Sequence, residues 1–414
     1  MRAVEWNKSE GYLVLIDQTL LPDKHVVVSC STVDQVVDAI QRLVVRGAPA
    51  LGAVGAYGVA VAMIQAQRAG WSADQLVEQV RRVRDARPTA VNLAWGADRV
   101  TPFISQGVDA VLAEAAAVMV EDEDANRELS RLGADWILAR TGRSKVRVLT
   151  HCNTGFLATT AWGTALGIVR ELHLRDALEL VYVNETRPLL QGSRLTAWEL
   201  REEGIDYLVQ VDGAAASTIL RGLVDVAIIG ADRIARNGDT ANKIGSVGVA
   251  LACADAGIPF VVAAPSTTVD LATSTGEEIN IELRDGAEVT ALGGVRIAPH
   301  GAKGFNPAFD VTPARLISAI VTEQGVVEPS KMQSVDNLVK EKTVWAIRYA
   351  NLSSAPIASA RIRPWSCTEE VTLLPKALLL TTSVDNRRSC GSKGLGQTCA
   401  LRSNPTTRDC GWVS

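Results

Sequence analysis

The stretch VDVAIIGAD, residues 224–232, decides the fold class of this 414-residue chain. Its apolar run from Val224 to Gly230 has the length of a strand buried on both faces, and the carboxylate of Asp232 follows it. Further apolar runs of strand length lie at 146–150, 180–183, 207–211 and 260–264. Helix-like segments separate them, at 157–172, 194–203, 215–222 and 246–256. The alternation predicts a doubly wound, Rossmann-like domain with a parallel sheet over residues 141–330.

The residues before this domain follow a different pattern. Short apolar runs up to about Leu21, such as Tyr12–Ile16, predict strands. From Thr32 to about Arg140, apolar residues recur at the i, i+3, i+4 and i+7 spacing of a helix face. We therefore predict an α/β fold with a small, mainly helical N-terminal domain over residues 1–140. Residues 331–414 show no steady period, and we predict an atypical, poorly ordered extension there.

Composition narrows the possible function classes. Apolar residues make up 47% of the chain and charged residues 21%, which is typical of globular proteins. The net charge of −4 gives no support to nucleic-acid binding. The apolar runs have strand length, and the first residues lack the apolar core of a secretion signal. Since cysteines are sparse before residue 331, we expect a cytoplasmic protein that does not enter a membrane.

Two side chains at the ends of predicted strands could carry chemistry. Cys152 follows the run 146–150 and precedes a predicted helix, whose dipole would lower the pKa of a thiol. Alternatively, it is a small buried residue that only packs. Asp232 could hold a proton in a dry site at neutral pH, or it could be the N-cap of a following helix. Because ligands bind beyond the carboxyl ends of parallel strands, we expect both residues in one crevice.

Two arginines precede segments with helical spacing. Arg46, Gly47 and Ala48 lie just before Pro49, which is tolerated in the first turn of a helix. The amides of such a turn and the guanidinium could together hold a phosphate, although an ordinary turn between helices is equally compatible. Arg87 is a second candidate for binding an anion, or else a solvated arginine.

Two polar loops supply the remaining candidates. Gln191 lies in NETRPLLQG (184–192) and could bind sugar hydroxyls, whereas Glu185 and Arg187 could form a structural ion pair. Asn242 and Lys243 lie in NGDTANKIG (237–245), and we expect them at the N-terminus of the next helix, where phosphate or sugar oxygens could bind. A lysine is unfavourable at a helix start, so Lys243 there would call for an anionic partner.

Other chemistries lack their motifs. The histidines are far apart and show no metal-ligand spacing. Glycines at 52, 55 and 58 are spaced for close helix packing and do not form the dinucleotide motif G-x-G-x-x-G. The sequence contains neither a Walker A loop nor a G-x-S-x-G elbow. We therefore expect no metal and no cofactor.

Six motifs together resemble those of the family shared by methylthioribose-1-phosphate isomerases and regulatory subunits of translation initiation factor 2B. They are RGAPALGAVGAYG (46–58), RPTAVNLAWG (87–96), THCNTG (150–155), NETRPLLQGSRLTAWEL (184–200), GADRIARNGDTANKIG (230–245) and NPAFDVTPARLI (306–317). The resemblance runs from about residue 2 to 328. It implies a homodimeric aldose–ketose isomerase of methionine salvage that converts 5-methylthioribose 1-phosphate to the ketose. The resemblance thus implies that the protein binds a small sugar phosphate and that it binds neither nucleic acid nor a membrane.

The resemblance also implies roles for single residues. Cys152 and Asp232 would be the catalytic pair. The substrate would contact Arg46, Gly47, Ala48, Arg87, Gln191, Asn242 and Lys243. Because the 1-phosphate ester prevents spontaneous ring opening, Asp232 would protonate the ring oxygen. Cys152 would then either relay a proton through an enediol-like state or stabilise a hydride shift.

Two other functions remain open within this family. A ribose-1,5-bisphosphate isomerase shares the cysteine and the aspartate but would need an additional arginine or lysine near the 5-position of the sugar. The RPTAVNLAWG segment favours methylthioribose. A non-catalytic regulatory subunit would not need both Cys152 and Asp232, whose joint presence argues against it.

Overall fold

The computed structural model describes residues 2–88 and 90–339, which lie within one compact unit, Met1–Asn351. The chain opens with an antiparallel sheet of three strands, β1 (Val4–Asn7), β2 (Tyr12–Ile16) and β3 (Val27–Cys30). These strands confirm the interpretation of the opening residues. Of the extension predicted over residues 331–414, the part from residue 340 onward lies outside the described residues.

A group of helices comes next and confirms the helical spacing. It consists of α1 (Val33–Gln41), α2 (Ala48–Ala69), α3 (Ala73–Arg84), α4 (Val91–Val100) and α5 (Val108–Thr141). Helix α2 is long and apolar enough to cross a membrane, although the apolar runs of the sequence predicted no such span. In the fold, 78% of its most apolar stretch is buried, and α2 packs against the other four helices. It is the apolar centre of a helical core.

Strands and helices then alternate. In chain order the later strands are β4 (Val146–Thr150), β5 (Leu178–Asn184), β6 (Tyr207–Gln210), β7 (Val226–Ile229), β8 (Arg233–Ala235), β9 (Thr240–Lys243), β10 (Phe260–Ala263), β11 (Val269–Asp270), β12 (Ala291–Leu292), β13 (Val295–Arg296), β14 (Phe309–Thr312), β15 (Ala319–Thr322) and β16 (Gly325–Val327). The later helices are α6 (Ala165–Leu174), α7 (Ala197–Glu202), α8 (Ala215–Leu220), α9 (Ser246–Ala256) and α10 (Ala287–Thr290). All five predicted strand runs are present.

Seven strands form one sheet, in the order β16-β15-β10-β7-β4-β5-β6. Neighbouring strands are parallel except for β15 and β16. Side chains such as Val148 pack with α5 and α6 on one face, and side chains such as Leu149 pack with α8 and α9 on the other. The predicted α/β class, with a helical N-terminal part and a parallel-sheet C-terminal part, is confirmed.

The order of the strands reverses next to β4. After β4 the chain adds β5 and β6 on one side, and it then crosses back to place β7 on the other side of β4. Thr150 at the end of β4 lies opposite Ile228 in β7, and the Thr150 hydroxyl donates to the Ile228 carbonyl at 2.9 Å. A parallel sheet opens a crevice at such a reversal, beyond the carboxyl ends of the two strands.

Two local predictions were wrong. The helix expected over 157–172 begins only at Ala165, and residues 153–164 form turns. The loop expected over 237–245 contains β9, which pairs with β8 in a four-stranded sheet of order β11-β8-β9-β14. These strands have two to four residues each, too few for a periodic pattern to reveal them.

Candidate functional site

Cys152 and Asp232 extend from the two central strands at the reversal of the sheet. Cys152 lies two residues beyond β4, and Asp232 lies three residues beyond β7. The charge of Asp232 raises the pKa of Cys152, whereas Arg46 and Lys243 lower the pKa of both residues. The structure therefore brings these four side chains, from different parts of the sequence, to one crevice. We call this cluster, together with Arg87, the crevice cluster.

The backbone of Cys152 is held in an unusual conformation. Its φ angle of +66° lies in the left-handed region that side chains other than glycine seldom adopt. The Cys152 amide donates to the hydroxyl of Thr186 at 2.8 Å, and the hydroxyl of Thr196 donates to the Cys152 carbonyl at 2.6 Å. These two bonds hold the thiol at a fixed point of the loop after β4.

The thiol does not have the electrostatic environment that the sequence suggested. Burial raises the pKa of Cys152 above its ordinary value, and Arg46 and Lys243 oppose that shift. The predicted lowering by a helix dipole was wrong, because the next helix, α6, begins thirteen residues later, at Ala165. Cys152 therefore rests as a neutral thiol at physiological pH.

Asp232 also keeps its proton more readily than an ordinary aspartate. Water can reach its side chain, but the surrounding protein desolvates it enough to raise its pKa, against the opposing effects of Lys243, Arg87 and Arg46. The alternative of a helix N-cap is wrong, since β8 follows directly and the Asp232 amide donates to the Ala241 carbonyl at 2.9 Å. A raised pKa suits a carboxyl group that donates a proton to a substrate.

Arg46, Gly47 and Ala48 stand at the N-terminus of α2, as predicted for a turn that opens a helix. Arg46 donates through Nη1 to the Asn153 carbonyl at 3.3 Å and through Nη2 to the Asn153 side-chain oxygen. Its Nε is buried and has no hydrogen-bond partner among the described residues. A first helical turn beside a guanidinium is a ready site for an anion.

Gly47 is required by its surroundings. Its φ angle is +96°, and an added Cβ would overlap the backbone of Ala158. The Ala50 amide donates to the Ala158 carbonyl at 3.4 Å, so the start of α2 packs directly against the turns after β4. Residue 47 must therefore be glycine for α2 to approach Cys152 this closely.

Arg87 belongs to the same cluster. Its pKa is lowered, mainly by burial, and Asp232 and Arg46 are both close enough to affect it. Glu282 and Arg284, from the segment before α10, also act on it. Arg87 is thus a partly buried cation beside the predicted acid, which argues against a freely solvated arginine.

Gln191 and Asn242 are buried polar side chains near the same edge of the sheet. Gln191 is only 6% exposed, and its Oε1 has no hydrogen-bond partner within the described part of the chain. Asn242 donates to the hydroxyl of Ser246 at 2.9 Å. An unpartnered buried acceptor such as Gln191 Oε1 is suited to a hydroxyl that a ligand would supply.

Asn242 and Lys243 do not lie in the expected place. They are on β9 rather than in a helix cap, and the N-terminus of α9 is already occupied by the carboxylate of Asp310. Asp310 Oδ2 accepts from the Gly245 amide at 2.8 Å. Lys243 Nζ donates to the Ala308 carbonyl at 2.9 Å and lies 4.3 Å from the centre of the Phe309 ring. The first turn of α9 is therefore not a phosphate site, whereas that of α2 stays available.

Arg187 does not form the ion pair with Glu185 that was one of the two interpretations of this loop. Its side chain donates to the carbonyl of Val289 at 3.0 Å, and its backbone amide donates to Asp212 at 2.7 Å. Arg187 therefore anchors the loop after β5 to the start of the short α10 segment.

Two side chains support the crevice cluster, and the sequence indicated only one of them, His151, as a neighbour that shapes the pocket. His151 accepts from the Asn184 amide at Nδ1 and donates from Nε2 to the Ile244 carbonyl at 2.7 Å, next to Lys243. Glu199, in the middle of α7, binds the turns after β4. A carboxylate at an otherwise apolar helix position was the only signal for Glu199, and no spacing linked it to Asn153.

Comparisons with known proteins identify the family of this chain. Residues 44–329 match the model of the initiation factor 2 subunit family. The chain is 51% identical, over 319 residues, to a Nocardia farcinica protein described as a probable bifunctional methylthioribose-1-phosphate isomerase/methylthioribulose-1-phosphate dehydratase. That match covers 77% of this chain and 58% of the relative. The chain therefore spans little more than half of the bifunctional protein.

Two solved structures match over nearly their whole length. The 5-methylthioribose 1-phosphate isomerase of Pyrococcus horikoshii OT3 is 36% identical, with a TM-score of 0.73, and the match covers 84% of this chain and 96% of that one. The delta subunit of translation initiation factor eIF-2B from A. fulgidus is 40% identical, with a TM-score of 0.72, and the match covers 82% and 99%. The same fold is thus found in proteins described as an isomerase and as a translation-factor subunit.

Proposed function

The chain belongs to the initiation factor 2 subunit family, and on that premise we propose that it isomerises 5-methylthioribose 1-phosphate to 5-methylthioribulose 1-phosphate. This is the aldose–ketose step named in its isomerase relatives, and it would serve methionine salvage. The observation that carries the proposal is the meeting of Cys152 and Asp232 at the sheet reversal, among Arg46, Arg87 and Lys243.

In this proposal the cations bind the phosphate. Arg46 and the first-turn amides of Gly47 and Ala48 hold the phosphate oxygens, because the guanidinium and the positive end of α2 converge there. Arg87 and Lys243 add positive charge on the side of Asp232. Gln191 and Asn242 hydrogen-bond the sugar hydroxyls.

Asp232 acts as the acid that opens the ring. Its proton passes to the ring oxygen while the bond between that oxygen and C1 breaks, which leaves C1 electron-deficient. Hydrogen then moves with its electron pair from C2 to C1, and the C2 hydroxyl gives its proton to the Asp232 carboxylate as C2 becomes the ketone. Because burial keeps Cys152 a neutral thiol, we propose that this hydrogen moves as a hydride, with the thiol shielding the site from water. Deuterium at C2 would then be retained at C1, whereas a proton relay would exchange it with solvent.

Turnover of 5-methylthioribose 1-phosphate tests the function, with loss of the anomeric proton signal as the readout. We expect the natural chain to consume this sugar phosphate. Asp232→Asn should lose at least about a hundredfold in kcat, the usual scale for a positioned acid–base group. We expect a loss of the same order in Cys152→Ser, because a hydroxyl is more strongly hydrated than a thiol and would weaken the shielding of the site from water. Cys253→Ser is the matched control, because Cys253 is a buried free thiol in α9 outside the crevice cluster. Near-natural turnover in Cys152→Ser or Asp232→Asn would remove that residue from the mechanism.

Two alternatives within the family have separate supporting observations. The likeness to a translation-factor delta subunit favours a non-catalytic regulatory role. The proximity of Arg284 to Arg87 favours a bisphosphate substrate, although Arg284 is already paired with Glu288 at 2.5 Å. An assay with both 5-methylthioribose 1-phosphate and ribose 1,5-bisphosphate separates the two isomerases. Turnover of neither, with co-purification of translation-factor subunits, would support the regulatory role.

We also propose a cytoplasmic homodimer that binds neither nucleic acid nor membrane. The edge strand β6 supports self-association, because Leu208, Val209 and Val211 at this edge are all about half exposed or more. Exposed apolar side chains on a sheet edge favour pairing with another chain. Light scattering should give a mass of twice 44.1 kDa.

A further inference from the structure

Glu199 is a wholly buried carboxylate at the base of the crevice. It lies in α7, has 0% exposure and accepts hydrogen bonds from four donors. Two are the backbone amides of Phe156 and Leu157, at 2.9 and 3.3 Å. The other two are Nδ2 of Asn153 at 2.8 Å and Nη2 of Arg170 at 2.6 Å. A buried carboxylate with this many donors orders the turns after β4 around itself.

The Asn153 side-chain amide is oriented by two bonds from its Nδ2, one to Glu199 and one to the Thr196 hydroxyl at 3.2 Å. A carboxylate can only accept, so Asn153 must present its NH₂ group to Glu199. The side-chain oxygen of Asn153 is then left to face Arg46, whose Nη2 donates to it. The Asn153 carbonyl accepts from Nη1 of the same guanidinium at 3.3 Å. Both terminal nitrogens of Arg46 are thereby fixed by one residue.

We propose that Glu199 is a positioning residue that aims the guanidinium of Arg46 at the substrate phosphate through Asn153. The inference rests on the proposed function for its substrate, since Arg46 is the residue expected to hold that phosphate. Glu199 does not touch the substrate in this arrangement. Its effect is to fix the amide orientation, so that Arg46 Nε, which has no partner among the described residues, stays available for a ligand oxygen.

Arg170 makes the buried charge of Glu199 tolerable. Its Nη2 bonds Glu199 and its Nε bonds Glu203, each at 2.6 Å, and Nη1 donates to the Trp162 carbonyl. An unpaired buried carboxylate would take up a proton and would then no longer force the NH₂ group of Asn153 towards it. Glu203 shares Arg170 but has no contact with Asn153 among the described hydrogen bonds, so it offers a matched control.

The test compares Glu199→Gln with Glu203→Gln. Both replace a carboxylate that binds Arg170 with an amide of the same shape, but only the first changes a partner of Asn153. We expect Glu199→Gln to raise the KM for 5-methylthioribose 1-phosphate and the Kd for inorganic phosphate by about tenfold, with a smaller change in kcat. Glu203→Gln should leave both constants within about twofold of the natural protein. Unchanged constants in Glu199→Gln, or equal losses in both variants, would overturn the proposal.

A second variant covers the case in which Glu199→Gln does not fold. Asn153→Ala removes the amide that links Glu199 to Arg46, and it should weaken phosphate binding by about the same factor. Where both single variants fold, their combination should bind phosphate no more weakly than Asn153→Ala alone, because the two act through one guanidinium. Losses that multiply, or natural phosphate affinity in Asn153→Ala, would refute the positioning role.

Calorimetry with inorganic phosphate measures the phosphate affinity without any turnover, so the positioning role of Glu199 can fail or hold independently of the proposed function. If the natural chain does not turn over the sugar phosphate, the function fails while the phosphate affinities still test Glu199. If turnover is present and the phosphate affinities of Glu199→Gln and Asn153→Ala match that of the natural protein, the function stands and the positioning role fails.

Discussion

At the scale of single residues, the crevice cluster places two acids among three cations. Burial raises the pKa of Cys152, desolvation by the surrounding protein raises that of Asp232, and the neighbouring cations oppose both shifts. In the proposed function, the positive charges of Arg46, Arg87 and Lys243 would attract an anionic ligand, and the raised pKa of Asp232 would suit a proton donor. The cluster would therefore combine proton donation with phosphate binding.

The pH dependence of kcat/KM should report Asp232. Its folded pKa is raised, so the acid stays protonated to a higher pH than an ordinary aspartate, and activity falls as the pH rises through that value. Lys243→Met removes a cation that lowers this pKa, and the alkaline limb of the profile should move to higher pH. Lys8→Met, at an exposed turn, should leave it in place. A limb that moves to lower pH in Lys243→Met would contradict the assignment.

Gly47→Ala should strongly weaken the proposed phosphate site at the start of α2. The new Cβ would overlap the backbone of Ala158, which would push the start of α2 away from Cys152. We expect a loss of about a hundredfold in kcat/KM, the scale of a misplacement of about 1 Å. Gly70→Ala is the matched control, because Gly70 ends α2 with a φ of +68° and has open space around it. Gly70→Ala should lower the free energy of unfolding by about 1 kcal/mol and leave kcat/KM unchanged.

The sequence predicted that Cys152 and Asp232 would lie in one crevice but not the electrostatics around them. Cys152 and Asp232 each followed an apolar run, and the rule for parallel strands placed them together. The pKa of the thiol could not be predicted, because it depends on where the next helix begins, and turns that bind Glu199 come before α6. Asn242 was misplaced because short strands such as β9 leave no period in the sequence.

At the scale of secondary-structure elements, the packing of α2 against α4 places the two arginines. Gly96 in α4 lies so close to Gly52 in α2 that an added Cβ would overlap the Gly52 carbonyl. Arg46 precedes α2 and Arg87 precedes α4, so the distance between the helices helps to set the distance between the guanidinium groups. The predicted role of Gly52 in close helix packing agrees with this contact.

Gly96→Ala should therefore affect substrate binding although residue 96 lies outside the site. The new methyl group would force α4 away from α2 and displace Arg87 relative to Arg46, and we expect KM to rise by about tenfold. Gly248→Ala is a fair control, since Gly248 lies in α9 with open space around it and should gain up to about 1 kcal/mol of helix stability. An unchanged KM in Gly96→Ala would show that the helix distance does not set the site.

At the scale of the whole molecule, α5 joins the helical core to the sheet. Its first half packs Val111 and Val118 with α2, and its second half packs Leu129 and Ile137 against the parallel strands. The helical spacing and the apolar runs predicted both parts from the sequence. The small sheet of β8, β9, β11 and β14 could not be predicted, because its strands are short and two of its three pairings join strands far apart in the sequence.

A chain shortened to end at Val339 should keep its activity and stability. All residues of the crevice cluster lie before this point, and the family match ends at residue 329. We expect turnover within about twofold of the full chain and the same melting temperature. A chain ending at Ser334 also loses the buried side chains of Val335 and Leu338, and it should be about 3 kcal/mol less stable. A large loss of turnover in the chain that ends at Val339 would show that residues 340–414 contribute to catalysis.

The reversal of strand order beside β4 also affects synthesis of the protein on the ribosome. Thr150 and Ile228 touch across neighbouring strands but are 78 residues apart, with β5 and β6 made between them. A nascent chain that ends at β6 already contains the thiol but has no acid to face it. Because β7 must insert next to a strand made long before, its pairing is a non-local and slow step. A nascent chain therefore cannot bring Cys152 and Asp232 together until β7 has been made and has paired with β4.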